Sequence, residues 1–246
     1  MKKLALVTGS KGGIGSAISS QLVKEGYRVI ATYSTGNHQS ALDWFNDKEF
    51  SQDQVRLFEL DVTNTEQCAE RLIQLMQEEG TLDVVVNNAG ITRDSMFKKM
   101  SASAWKEVID TNLNSVFNVT QPLFDAMCEK GNGRIINISS VNGLKGQFGQ
   151  ANYSAAKAGM IGFSKALAAE GARSGVTVNV VAPGYTGTPM VEQMKPEVLE
   201  SIKAQIPMKR LATPEEVAQS VSFLISDSGA YITGETLSVN GGLYMH

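Results

Sequence analysis

The most constraining feature of this chain is a glycine-dense turn placed between a short β-branched run and a helical pattern, within its first 25 residues. Residues 3–8 are apolar and read as a strand. Thr8-Gly9-Ser10-Lys11-Gly12-Gly13-Ile14-Gly15 follows, and a helical period then runs through Ile14, Ile18, Leu22 and Val23 until Gly26 closes it. Glycine allows a tight turn and lets a phosphate approach main-chain N–H groups, while the helix N-terminus presents its positive dipole end to that phosphate.

The same alternation continues along the chain. Strands are expected at 28–33, 55–60, 82–86, 133–139, 177–183 and 237–240, with helices at 40–50, 65–79, 101–130, 152–174 and 214–226. Strands separated by helices pair in parallel through right-handed crossovers. The expectation is a single α/β domain over residues 1–246: a doubly wound, Rossmann-like parallel sheet of about seven strands with helices on both faces. Its ligands belong beyond the carboxyl ends of the strands. No linker or repeat divides the chain. The stretch 184–208, rich in Pro, Gly, Thr and Met, is expected to be irregular and to act as a lid over the site.

Composition excludes several classes. Net charge is −3 with no clustered basic face, which argues against nucleic-acid binding. No apolar run reaches the about 18 residues of a membrane helix, and the apolar start of the chain stops at Thr8, too soon for a signal peptide. A soluble, cytoplasmic protein is expected. Cys68 and Cys128 lack CxxC spacing and read as buried free thiols. His38 and His246 are the two histidines and make no metal site by themselves; His246 receives no catalytic role.

Tyr153-Ser154-Ala155-Ala156-Lys157 falls on a helix, so Tyr153 and Lys157 share one face. An ordinary phenol, with a pKa of about 10, is a poor acid–base group at neutral pH, and a cation one turn away is expected to lower that value. Ser139-Ser140 ends a strand thirteen positions earlier and supplies a hydroxyl for the same oxygen.

The TGxxxGIG turn with Gly9, Gly13, Ile14 and Gly15, the Asn87-Asn88-Ala89-Gly90 element after the fourth strand, Asp61-Val62 after the third, and the YxxxK element together resemble the short-chain dehydrogenase/reductase family. The resemblance covers essentially the whole chain. It implies a nicotinamide cofactor held by the glycine turn, by Asp61 and Val62 near the adenine, by Asn88, Ala89 and Gly90, and by Pro183, Gly184 and Thr188 after the sixth strand. It selects Ser140 over Ser139 as the catalytic serine, beside Tyr153 as proton donor and Lys157, which also binds the nicotinamide ribose. Asn112 is implied as the fourth member, its side chain bending a helix and holding a water against Lys157. One departure is Gly12, where many members carry Arg.

The end of the second strand, Ala31-Thr32-Tyr33-Ser34-Thr35-Gly36-Asn37-His38, carries no acid to repel a 2′-phosphate. With Lys11, Ser34 and Asn37 to serve that phosphate, NADPH is the expected cofactor. The substrate implied by the resemblance is a 3-oxoacyl thioester. The segment 140–150 and Pro183-Gly184-Tyr185 resemble the branch that reduces acetoacetyl-CoA to the (3R)-3-hydroxyacyl product, with Ser140, Gln147, Phe148, Gln150, Tyr153 and Tyr185 around a small acyl group. Gly234-Glu235-Thr236-Leu237 leans instead to the branch acting on acyl carrier protein, whose docking face corresponds here to Lys130 and Arg173. The acyl-CoA is the preferred partner, and a homotetramer is implied by resemblance alone. A catalytically silent dinucleotide sensor is the reading from another class, and the intact Asn112, Ser140, Tyr153 and Lys157 argue against it.

Overall fold

The computed structural model describes residues 2–188, 191 and 194–245. Seven strands form one sheet: β1 (Leu4–Val7), β2 (Arg28–Tyr33), β3 (Val55–Glu59), β4 (Val84–Asn87), β5 (Gly133–Ile138), β6 (Val176–Pro183) and β7 (Thr236–Val239). Their order is β3-β2-β1-β4-β5-β6-β7, and every pair is parallel. The order reverses between β1 and β4, which opens a crevice above the carboxyl ends of the central strands.

The helices are α1 (Gly13–Lys24), α2 (His38–Asp47), α3 (Thr65–Glu79), α4 (Ala102–Ile109), α5 (Ser115–Lys130), α6 (Val141–Lys145), α7 (Ala151–Gly171), α8 (Pro196–Gln205) and α9 (Pro214–Ile225). They cover both faces, so the sheet separates two apolar cores. Ile18, Leu22, Val29 and Val221 mark one, and Leu6, Ile30, Leu72 and Leu123 the other. Strands buried on both faces are mostly apolar; all eight residues of β6 are buried, Thr177 and Asn179 being its polar members. Each fully buried aliphatic side chain contributes about 1.5–3 kcal/mol.

The polar exceptions at the top of the sheet are paired. Asn87 and Asn137 face one another in register on β4 and β5. Asn87 Nδ2 donates to Asn137 Oδ1 at 2.8 Å and to Thr120 Oγ1 at 3.0 Å, and Asn137 Nδ2 donates to Ser164 Oγ at 2.8 Å. Such pairing removes the penalty of burying these amides.

Three expectations change. The single helix expected over 101–130 is two helices joined by a π-turn, Asp110–Asn114, centred on Asn112. The irregular stretch 184–208 contains α8, which starts with Pro196 in its first turn, where proline's missing N–H is harmless. Pro189, Met190, Glu192 and Gln193 of that stretch, like His246, lie outside the described residues. Of the two free thiols, Cys68 is buried, its pKa pushed up to about 11 by burial, whereas Cys128 is only partly buried.

Candidate active site in the crevice above the sheet

A cleft of about 300 Å³ opens at the carboxyl ends of β4, β5 and β6. Its wall includes Ile14, Asn88, Ser140, Asn142, Tyr153, Lys157 and Tyr185.

The glycine turn is built so that main chain packs on main chain. Gly9 has φ +65°, which L side chains rarely adopt. A Cβ on Gly15 would overlap the Gly9 carbonyl oxygen and lie 2.6 Å from Asn88 Nδ2. A Cβ on Gly13 would lie 2.6 Å from Thr188 Cγ2, which places Thr188 directly against the start of α1. Asn88 ties the turn to β4: its Nδ2 donates to Thr8 O at 2.9 Å and to Gly9 O at 3.2 Å, and the N–H groups of Asn88 and Ala89 both donate to Thr8 Oγ1. A turn of this form presents main-chain N–H groups as a dinucleotide phosphate would require, and Gly13 and Gly15 leave no space for a side chain.

At the end of β2, Lys11 Nζ donates to Asn37 Oδ1 at 3.2 Å and to Ser40 Oγ at 3.0 Å, and Asn37 Nδ2 donates to Ser34 Oγ at 2.9 Å. Lys11, Ser34 and Asn37 thus form one cationic cluster. Asp61 lies beyond β3, its Oδ1 accepting from Thr63 N and Oγ1, and Val62 beside it is buried.

Tyr153 and Lys157 lie on one face of α7, with Lys157 Nζ 5.7 Å from the Tyr153 ring centre. The ammonium donates to the Ile138 carbonyl at 2.7 Å, and Ser139 Oγ donates to the Lys157 carbonyl at 2.8 Å. The end of β5 therefore grips this lysine by its head and by its backbone. Gly143 presses α6 onto the same residue, since a Cβ there would lie 2.9 Å from Lys157 Cβ. Ser140 caps α6, its Oγ accepting from Asn142 N at 3.1 Å, and turns toward the phenol.

The electrostatics correct the expected activation. Burial raises the Tyr153 pKa above its ordinary value; Ser140 pulls it down and Asp94 pushes it further up. Burial also pushes the Lys157 pKa down, to about 8. The Lys157 ammonium is directed at the Ile138 carbonyl, and burial is the largest influence on the phenol.

Asn112 sits in the middle of the π-turn between α4 and α5. Its Oδ1 accepts from Ile91 N and its Nδ2 donates to Ile91 O, both at 2.8 Å, which tethers the segment after β4. A Cβ on Gly90 would lie 3.2 Å from Asn112 Oδ1 and 3.6 Å from Lys157 Nζ, so the glycine leaves room for the two to approach.

Of the residues expected around the acyl group, Ser140, Gln150, Tyr153 and Tyr185 line the cleft with Pro183 and Gly184. Gln147 and Phe148 stand outside that lining: Gln147 Oε1 accepts from Lys145 Nζ, and Phe148 is 83% exposed. Residues that sequence reasoning did not single out also shape the site. Asn152, fully buried, accepts from Tyr153 N at 2.8 Å and donates to the carbonyls of Arg93 and Ala104, fixing the first turn of α7. Its position next to the YxxxK tyrosine was the available signal. Val191 and Met194 line the cleft from the 184–208 stretch.

A doubly wound sheet with a dinucleotide cradle beside a Ser–Tyr–Lys cluster defines an oxidoreductase that works with a nicotinamide dinucleotide. A family model described as enoyl-(acyl carrier protein) reductase matches residues 9–244. The chain is 58% identical over 245 residues to an acetoacetyl-CoA reductase of Acinetobacter sp. (strain RA3849), covering 100% of this chain and 99% of the relative. It is 50% identical to an acetoacetyl-CoA reductase of Allochromatium vinosum over the full length of both. It is 46% identical to the 3-oxoacyl-[acyl-carrier-protein] reductase of Escherichia coli (strain K12), covering 99% of this chain and 98% of that one. The chain belongs to the short-chain dehydrogenase/reductase family and is an enzyme that reduces a 3-oxoacyl thioester. Among the described residues, no helix is long and apolar enough to cross a membrane.

Proposed function

We propose that this enzyme reduces acetoacetyl-CoA to (3R)-3-hydroxybutyryl-CoA with NADPH. The observation that carries the reading is the convergence of Ser140, Tyr153 and Lys157 on one cleft beside the glycine cradle. Relatives named acetoacetyl-CoA reductase, 58% and 50% identical over the full chain, support the choice of substrate.

The dihydronicotinamide, when bound, supplies the hydride to the 3-oxo carbon. The protein's part is to hold the 3-oxo oxygen and to place a proton on it. Ser140 Oγ donates a hydrogen bond to that oxygen, and the Tyr153 hydroxyl gives up its proton to it. Burial keeps the phenol protonated at neutral pH, the form a reductase needs before turnover. Donors fixed in place beforehand stabilise the developing alkoxide without reorganising. Lys157, gripped by the end of β5, is positioned to bind the nicotinamide ribose and to restore the phenol's proton. Asn112 holds the Gly90–Ile91 segment beside it.

Gly9, Gly13, Ile14 and Gly15 receive the pyrophosphate; Asn88, Ala89, Gly90, Pro183, Gly184 and Thr188 flank the nicotinamide half; Asp61 and Val62 flank the adenine. Lys11, Ser34 and Asn37 favour a 2′-phosphate, since they present a cation and donors with no acid between residues 31 and 38. Gln150 and Tyr185 bound the acyl group, and the stretch 184–208 closes over it as a lid. Four copies assemble into a homotetramer, with the half-exposed Phe117 on α5 and the exposed Tyr231 as apolar surface for contact.

The carrier-protein reading is disfavoured by Lys130. Its ammonium is ion-paired with Asp83 at 2.8 Å and also bonded to the Thr81 carbonyl, which leaves little charge for an acidic carrier. The test is a comparison of kcat/KM, followed by nicotinamide absorbance, for acetoacetyl-CoA and acetoacetyl-acyl carrier protein, each with NADPH and NADH. Higher efficiency with the CoA ester and with NADPH is expected. A preference for the carrier-bound ester overturns the substrate assignment, and a preference for NADH overturns the cofactor.

A further inference from the structure

Asn142 carries an unusual hydrogen-bonding arrangement. It sits at the second position of α6, is 9% exposed, and lines the cleft with Ser140 and Tyr153. A relay of side chains fixes which way its amide points. The Asp94 carboxylate has only acceptors, so Gln150 must turn its Nε2 toward it, at 2.9 Å. Gln150 Oε1 then faces Asn142 and accepts from its Nδ2, also at 2.9 Å. The carboxylate thereby dictates, through two amides, that Asn142 Oδ1 is the atom left over. Among the described residues that buried oxygen has no hydrogen-bond donor.

A buried acceptor without a donor is disfavoured in a folded protein until a donor, from solvent or from a bound ligand, completes it. The reactive end of a 3-oxoacyl thioester offers no donor, because its keto and thioester oxygens both accept. The hydroxyl formed on reduction is already served by Ser140 and Tyr153. The first donor along the substrate is the amide N–H of the pantetheine arm, two carbons beyond the sulfur.

We propose that Asn142 Oδ1 accepts a hydrogen bond from this pantetheine amide N–H, making Asn142 a specificity-determining residue oriented by Asp94 through Gln150. This rests on the reading of the site as a 3-oxoacyl thioester reductase. The arm is common to CoA and to carrier-protein esters, so the inference does not depend on which of them is the substrate.

The test uses two small thioesters: S-acetoacetyl-N-acetylcysteamine, which carries the N–H, and its oxygen analogue, the S-acetoacetyl derivative of O-acetyl-mercaptoethanol, which does not. With the full-length enzyme and NADPH, kcat/KM is expected to favour the amide by about tenfold, the size of one well-placed hydrogen bond. In Asn142→Leu the ratio falls to near one. Equal rates for the two thioesters with the unsubstituted enzyme, or an undiminished ratio in Asn142→Leu, each overturn the proposal. If neither thioester nor acetoacetyl-CoA is reduced, it is the thioester-reductase reading that falls.

Discussion

On the β1–α1 side of the cleft the working surfaces are backbone: a side chain would collide at Gly13 and Gly15 and be strained by the positive φ of Gly9, and Asn88 and Thr8 serve mainly to tie main chain to main chain. On the β5–α6–α7 side the surfaces are side chains, and each is held by another: Lys157 by Ile138 and Ser139, Tyr153 by Asn152, Asn142 by Gln150 and Asp94. The difference teaches that the two halves fail differently. A phosphate-binding turn needs space and N–H direction, and so tolerates no added atoms. A proton-handling cluster needs particular atoms at particular places, and so tolerates no removed ones.

The sharpest way to test that division is Tyr153→Phe. It removes one oxygen from the side-chain half and leaves the backbone half untouched. A general acid contributes about 10²–10⁴-fold, so kcat is expected to fall about 10³-fold. Cofactor binding, followed by the fluorescence of the bound dihydronicotinamide, should change little. Unchanged turnover would instead revive a dinucleotide sensor in which the phenol is idle.

Lys157 gives the next largest effect, read in stability against pH. Its pKa is lowered from 10.5 to about 8 by burial, so between those values the unfolded chain holds a proton that the folded chain has released. Stability contributed by this group therefore rises with pH across that window, and below about 8 the buried ammonium is a burden of roughly 3 kcal/mol. Lys157→Met relieves it. The variant's stability relative to the parent protein is expected to be greatest near neutral pH and to shrink toward pH 10, as measured by urea denaturation across the range. A difference that is flat with pH would mean that the ammonium is solvated in the folded state. Because only the difference is read, the opposing titration of Cys68 cancels.

The same division explains what the sequence makes legible. Glycine spacing is a local property, and the cradle could be placed from residues 8–15 alone. The pairing of Tyr153 with Lys157 is also local, one helical turn. The seven strands were readable because they are short, mostly apolar and rich in β-branched residues, and so was the crevice that their parallel order creates. What escaped depends on contacts distant in sequence. The orientation of the Asn142 amide is set by Asp94, 48 positions away, through Gln150. That the Lys157 ammonium turns to the Ile138 carbonyl rather than to the phenol is equally invisible in a YxxxK spacing. Phe148 shows the converse error: an aromatic beside the active-site segment suggested a pocket wall, but the turn around Gly146 and Gly149, with φ of +71° and +78°, carries it out to solvent. Proline and methionine content made 184–208 look irregular, although Pro196 followed by Glu197 in a first turn is a helix-start pattern.

The smallest of the three effects probes the backbone half. In Gly15→Ala a methyl group must fit where the Gly9 carbonyl oxygen and Asn88 Nδ2 now pack, and neither neighbour is the free end of a flexible side chain. The turn has to open. Overpacking of this kind costs about 1–3 kcal/mol, and the displaced N–H groups no longer converge on a pyrophosphate. The expected signature is the reverse of that for Tyr153→Phe: dinucleotide affinity drops by an order of magnitude or more, while kcat at saturating cofactor changes far less, because the atoms nearest the added methyl belong to Gly9 and Asn88 rather than to α7 or the end of β5. Titration of cofactor fluorescence and steady-state rates at several cofactor concentrations separate the two parameters. If the loss instead appeared wholly in kcat with affinity preserved, the glycine turn and the tyrosine cluster would have to move as one unit, and the division drawn between the halves would be wrong.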